Sequence, residues 1–190
     1  MLADLEGDDA FLELLLAKIT DRACTNADPA AMLLANMTKS DKLDRLVALE
    51  RAAPAGVSDS RFAMDQLMDC FVKGADGTLN SEASFDFLSY VFADVSRTPA
   101  GRAYFITKRE YDGVIPVSKL VVFTEHRSII RRKGVASTIK NCCFDIKSHA
   151  TFLDPDGVNL LPYLLLPLMG SEEFDDEVRG RAERRERARD

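Results

Sequence analysis

The chain has 190 residues, 46% of them hydrophobic and 29% charged, so it is long enough to bury a sizeable core and too apolar to be mostly disordered. A net charge of −6 and a pI near 5.1 disfavour a protein whose main business is gripping phosphate backbones. Two histidines and no tryptophan leave few of the side chains that serve as metal ligands or general bases near neutral pH.

Helical periodicity dominates from the start of the chain. Phe11, Leu12, Leu14, Leu15, Leu16 and Ile19 form one apolar stripe, with Asp8 or Asp9 placed to cap it. Asp28-Pro29 repeats the signal, Asp as cap and Pro at the first helical position, ahead of Met32, Leu33, Leu34 and Met37. A further helix is predicted from Asp41 to Ala53, carrying Leu43, Leu46, Val47 and Leu49 on one face and stopping at Pro54-Ala55-Gly56. Arg61 to Phe71 continues the scheme until Lys73-Gly74-Ala75-Asp76-Gly77 breaks it as a loop.

In the second half, Phe85 to Ser96 is helical by spacing, and Thr98-Pro99 starts a helix that Asp112-Gly113 ends. Ile115 to Phe123 follows, with Pro116 in its first turn. Ser128 to Cys143 makes a longer helix whose buried stripe is predicted as Ile129, Ile130, Val135, Ile139 and Cys142. A turn at Asp145 leads to Ser148 to Leu153. Strand signals are nearly absent, and an all-α chain follows.

The helices repeat when aligned on Asn36, Asp94 and Asn141. Five residues before each anchor stands a small residue (Ala31, Ser89, Ala136), and two before it an apolar one (Leu34, Phe92, Ile139). Met37, Val95 and Cys142 follow directly, and Val47, Phe105 and Phe152 come eleven later. The anchors lie 58 and 47 residues apart, the second interval at the upper edge of the roughly 40–47 expected of armadillo or HEAT units. Such units cannot bury their apolar faces alone and stack into a solenoid whose concave side usually binds other proteins.

Cys24, Cys70, Cys142 and Cys143 include no C-x-x-C pair, and the adjacent two face different sides of a helix, so reduced thiols are expected and a zinc site is not. The acidic start, Met1 to Ala10, is unlike a secretory or mitochondrial leader, and Val158 to Met169 is too short and proline-broken to span a bilayer. A cytoplasmic protein is expected, one also able to reach the nucleus, with no membrane and no nucleic-acid partner. No Walker loop, G-x-S-x-G or H-E-x-x-H occurs. The most enzyme-like grouping is Cys142, Cys143, Asp145 and His149, a cysteine–histidine arrangement by sequence nearness alone.

The basic group Arg127, Arg131, Arg132, Lys133, Lys140 and Lys147 is either a solvated helix face or a patch for an acidic partner surface. Within it, Lys133, Ser137, Lys140, Asn141 and Phe144 follow helical spacings of three and four and form the candidate protein-binding ridge. Glu172 to Glu177 is acidic, and Arg179 to Asp190 holds six arginines against three acids, a stretch that cannot pack a core. The expected division is a helical repeat domain over 1–174 and a charged tail, disordered or a solvated helix, over 175–190.

Ser128-Ile129-Ile130-Arg131-Arg132-Lys133-Gly134-Val135-Ala136-Ser137-Thr138-Ile139-Lys140-Asn141-Cys142-Cys143-Phe144-Asp145 and the segment from Leu160 to Phe174 resemble the signatures of the eukaryotic HGH protein homolog family. Ala31 to Thr38 and Arg97 to Arg102 are similar to its earlier part. The resemblance implies an armadillo-like right-handed superhelix, here of about three helical repeats, with no cofactor or nucleotide site and no catalytic activity. It also implies a chaperone-type adaptor that assists folding of eukaryotic elongation factor 2 together with the cytosolic chaperonin. The alternatives are a generic armadillo-like scaffold without client binding, or a small enzyme built on Cys142 or Cys143. The arginine-rich end departs from the family pattern, as a fragment, a short form or a misjoined gene would. An uncapped end after Met169 would make the chain marginally stable or self-associating.

Overall fold

The computed structural model describes residues 8–39, 45–165 and 168. The acidic start, the run from Glu172 to Glu177, the arginine-rich end with the 175–190 tail, and the chain after Met169 fall outside them, as do Asp41 to Asp44 of the predicted helix.

Asp8 caps α1 (Asp9–Thr20), its carboxylate accepting from the Ala10 and Phe11 amides, and Leu12, Leu15, Leu16 and Ile19 turn inward. α2 (Ala27–Met37) starts two residues earlier than the Asp28-Pro29 signal predicts. Asp28 does not cap it. Its carboxylate instead accepts from the Ser84 amide (2.9 Å) and hydroxyl (3.0 Å) and from the Phe85 amide (2.7 Å).

The helix expected over Asp41 to Ala53 is absent from its described part, where a single 3-10 turn around Leu46 gives way to extended chain. Backbone pairing outcompetes helix there: the Arg51 amide donates to the Arg61 carbonyl (2.8 Å), the Ala63 amide to the Leu49 carbonyl (2.9 Å), and Glu50 and Phe62 form an antiparallel bridge. The Arg51 guanidinium anchors the segment on Glu13 of α1 (2.7 Å) and on Gln66 (2.6 Å). α3 (Ala63–Lys73) is buried on nearly every side, from Ala63 through Phe71, as a central helix must be.

α4 (Leu88–Val95) begins three residues later than its spacing predicts, because Phe85 adopts φ 57°, outside the helical range. Thr98 caps α5 (Pro99–Ile106) by accepting from the Gly101 amide (3.1 Å). Asp112-Gly113 does not end that helix, which stops at Ile106. The chain then turns through Gly113 (φ 69°), with Gly113 donating to the Arg109 carbonyl and Arg109 to the Val114 carbonyl. α6 (Pro116–Leu120) runs into a 3-10 turn, Val121–Phe123. α7 (Ile129–Cys142), capped by Ser128, is followed by the 3-10 turn Ile146–Ser148, α8 (His149–Leu153) and α9 (Leu161–Leu165). The described residues are all-helical apart from the one isolated bridge, and none of their helices is long and apolar enough to cross a membrane.

Edge-to-face aromatic contacts thread the core. Phe71 of α3 meets Phe92 of α4 (5.3 Å) and Phe123 (5.1 Å), and Phe92 meets Phe105 of α5 (5.9 Å). Into this layer comes Arg131 of α7, which has no exposed surface. Its Nε donates to Asp86 Oδ1 (2.8 Å), and its two Nη groups donate to the Phe71 carbonyl (2.8 Å) and the Ser84 carbonyl (2.7 Å). The guanidinium lies 3.8 Å from the Phe71 ring centre and 4.7 Å from that of Phe123. Burial lowers its proton affinity, while Asp86 and Asp28 act in the opposite sense. Arg131 is therefore neither a solvated nor a recognition residue, as its place in the basic group suggests. It clamps the 84–86 turn from one side while Asp28 clamps it from the other.

α7 also departs from its predicted stripe: Ile129 is 55% exposed, whereas Arg131, Gly134, Thr138 and Asn141 are buried with Val135, Ile139 and Cys142. Gly134 is where α7 crosses α4. A Cβ there would lie 2.3 Å from Ser89 Oγ, the group that bonds back to the Asp86 and Ile130 carbonyls.

Breaking a buried ion pair typically costs about 3–5 kcal/mol. Arg131→Met is expected to lose stability of that order in urea unfolding, with Lys133→Met, two residues away and exposed, changing it by less than about 0.5 kcal/mol. Gly134→Ala should also destabilise, although alanine is the better helix former by about 1 kcal/mol at an open position. An Arg131→Met midpoint equal to that of Lys133→Met would contradict the clamp.

Candidate functional site

α2, α4 and α7 pack in that order, α4 against both. Of the three small repeat positions, Ala31 and Ser89 are fully buried, Ser89 where α7 crosses, whereas Ala136 is exposed and breaks the repeat there. The last turn of α7 is tied to α4 by Asn141, whose Nδ2 donates to the Ala93 carbonyl (3.0 Å) and to Ser96 Oγ (3.0 Å). All three repeat anchors, Asn36, Asp94 and Asn141, consequently line one groove of about 620 Å³ running along the C-terminal halves of the three helices.

The groove has an apolar floor and a cationic margin. Met32, Phe87 and Tyr90 supply the floor, the two rings in an edge contact with centres 6.2 Å apart. Lys39, Arg97 and Lys140 stand against a single carboxylate, Asp94. Lys39 Nζ donates to Asn36 Oδ1 (3.1 Å), and Arg97 lies 3.5 Å from Asp94. Burial raises the Asp94 carboxyl above its ordinary range, with Arg97 and then Lys39 pulling it down.

Of the five predicted ridge residues, Ser137, Lys140 and Asn141 line this groove, and Lys133 and Phe144 do not. Asn141 is no exposed ridge residue either, at 7% exposure, because its carboxamide turns onto α4. Phe144 is 69% exposed beyond the end of α7. The groove residues that the ridge omits are legible after the fact. Lys39 and Arg97 stand three residues after their anchors, a position one helical turn on, which Phe144 occupies in the third unit.

The cysteine–histidine grouping does not assemble. His149 Nε2 is paired with the Cys143 carbonyl (2.7 Å), and Asp145 is engaged by the Ser148 hydroxyl. Burial pushes the Cys142 thiol up to about 12, the neighbouring Cys143 adding to the effect, and Cys143 is raised by burial as well. The other buried thiol, Cys70, is also pushed up to about 12, by burial and then by Asp69. No group of three or more metal-ligating side chains gathers among the described residues.

A second cleft of about 670 Å³, lined by Phe62, Arg109 and Tyr111 among others, escapes the sequence reading. Its most buried charges answer one another. Arg109 makes a two-point pair with the buried Asp65 (3.0 and 3.2 Å), Ser60 Oγ donates to the same carboxylate (2.7 Å), and the guanidinium sits between the Phe62 and Tyr104 rings. Tyr111 donates to Asp69 (3.1 Å) and accepts from Lys119 (2.8 Å). Burial and then Asp69 raise the Tyr111 hydroxyl, keeping it a neutral donor. This network joins α3 to the 107–113 turn and α6, a structural use of its charges.

A thiol titrating near 12 is only about 10⁻⁴ thiolate at pH 8. Iodoacetamide at pH 8, with peptide mapping, is therefore expected to leave Cys70 and Cys142 unmodified in the folded chain and to alkylate both after guanidinium unfolding. Rapid labelling of folded Cys142 would revive a nucleophile there.

The profile of a family described as a domain of unknown function (DUF383) matches residues 18–181. A Schizosaccharomyces pombe protein named Protein HGH1 homolog is 49% identical over 170 residues, covering 90% of this chain and 48% of that protein. Proteins of the same name from Xenopus tropicalis and Homo sapiens are each 32% identical, over 88% and 93% of this chain and 42% and 45% of their own lengths. The chain thus spans about half the length of the curated relatives it matches.

Proposed function

The chain belongs to the protein HGH1 homolog family, and from that premise we propose that it is a protein-binding adaptor of the cytosol with no catalytic activity. Its helices are taken as an armadillo-like right-handed superhelix of about three units, each contributing one anchor to the groove. Its client is eukaryotic elongation factor 2 during folding, in concert with the cytosolic chaperonin, as the resemblance of the Ser128 to Asp145 and Leu160 to Phe174 segments implies.

One observation carries the binding surface: residues found by sequence repetition alone, Asn36, Asp94 and Asn141, converge on a single groove. Asn141 also ties α7 to α4, while Asn36 and Asp94 bring polar side chains from α2 and α4 to the same opening. The positions two residues earlier, Leu34, Phe92 and Ile139, are apolar and buried in the core. Polar residues over an apolar floor suit a surface that exchanges water for a protein partner.

Affinity capture of elongation factor 2 from a eukaryotic lysate tests this reading. Wild-type chain is expected to recover the factor with chaperonin subunits, and Lys39→Glu/Arg97→Glu/Lys140→Glu to lose at least about tenfold of it. Lys133→Glu, outside the groove, should recover it as wild type does. Equal recovery by all three proteins would remove the groove from the function.

A further inference from the structure

We infer that the groove receives an extended, acidic segment of its protein partner, with the anchors Asn36, Asp94 and Asn141 bonding its main chain and Lys39, Arg97 and Lys140 pairing with its carboxylates. The inference rests on the groove being a protein-binding surface and adds the chemistry of what enters it.

The main-chain part follows from which hydrogen-bonding groups the anchors have left. Both carboxamide hydrogens of Asn141 are taken by Ala93 and Ser96, so its remaining capacity is the Oδ1 acceptor. Asp94, 3.5 Å from Arg97, presents its carboxyl oxygens as acceptors. Asn36 is the reverse case, since its Oδ1 already accepts from Lys39 and its two N–H donors remain. The groove thus offers donors at one end and acceptors along the rest, which is what alternating C=O and N–H groups of an extended chain satisfy.

Helices in contact lie about 8–10 Å apart, and an extended chain rises about 3.3 Å per residue. One helix-to-helix step therefore corresponds to about three residues of ligand, and the three anchors to about six. A helix laid in the groove would leave its backbone groups bonded to themselves and the anchors unanswered.

The acidic part follows from sign. The whole chain carries −6, yet the groove lining holds three cations and one carboxylate, a local reversal of the overall charge. A basic segment would meet Lys39, Arg97 and Lys140 and be repelled. The exposed thioether of Met32 and the Phe87–Tyr90 pair leave room for one aromatic or long aliphatic side chain between the acids. A polyphosphate chain is the poorer match, because Asp94 sits among the cations and the floor is apolar.

The test is fluorescence anisotropy with the full chain and a labelled ten-residue peptide of Glu and Asp with one central Phe, at low salt. Saturable binding is expected, weakened about tenfold or more by Lys39→Glu/Arg97→Glu/Lys140→Glu and unaffected by Lys133→Glu. A peptide with N-methylated alternate amides should bind more weakly than its parent, and a Lys/Arg counterpart should not bind. Circular dichroism confirms that the variants are folded, and Arg97→Gln provides a milder substitution with an intermediate loss. Absent binding of the acidic peptide, equal binding by the triple variant, or equal affinity for a ten-nucleotide single-stranded RNA would each overturn the inference. If elongation factor 2 is captured through the groove while the peptide fails, only the acidic-segment inference falls. If capture itself ignores the groove, the functional reading falls first.

Discussion

The position of α7 depends on a charge placed where charges are least welcome. A fully buried guanidinium carries a large desolvation penalty, and it persists only because a carboxylate, two carbonyls and two aromatic faces surround it. A hydrophobic residue of similar volume could fill the space. It could not tie the C-terminal end of α3, the 84–86 turn and α7 to a single point.

That turn is the hinge of the arrangement. Phe85 sits at φ 57°, a conformation that costs of order 1–3 kcal/mol for a bulky residue and persists only when its surroundings over-determine it. Asp28 holds the turn through two amides and a hydroxyl from the α2 side, and Arg131 holds it through Asp86 and the Ser84 carbonyl from the α7 side. Gly74 makes room for the Phe85 ring, since a Cβ there would lie 2.2 Å from it. One turn thereby sets the spacing of α2, α4 and α7, and the groove is the surface consequence. Anchors on three independent helices would drift without it.

Elements whose stability is local were legible in the sequence. The Asp8 and Thr98 caps, the Pro116 start and the helical state of α3 and α7 each rest on neighbours within one or two turns, and each is present, although the buried face of α7 is not the predicted one. What escaped reading depends on distant partners. Arg51 draws its segment into a bridge with Phe62, so local helical spacing loses to long-range pairing. Asp28 looks like a cap and serves a turn 56 residues away. Arg131, one cation in a basic run, could be told from Lys133 only by knowing that Asp86 and Phe71 would surround it. The groove was half visible for the same reason: repetition identified its anchors, but Lys39, Arg97 and the Phe87–Tyr90 pair join them only once α4 lies between α2 and α7.

The central claim is that three repeat anchors build one protein-binding surface. Site-specific photocrosslinking tests it most directly. A benzophenone amino acid replacing Ser137 in the groove is compared with one replacing Lys108 in the second cleft, each irradiated in a eukaryotic lysate. The account predicts an adduct to elongation factor 2 from position 137 and none from position 108. An adduct from position 108 with none from position 137 would contradict it.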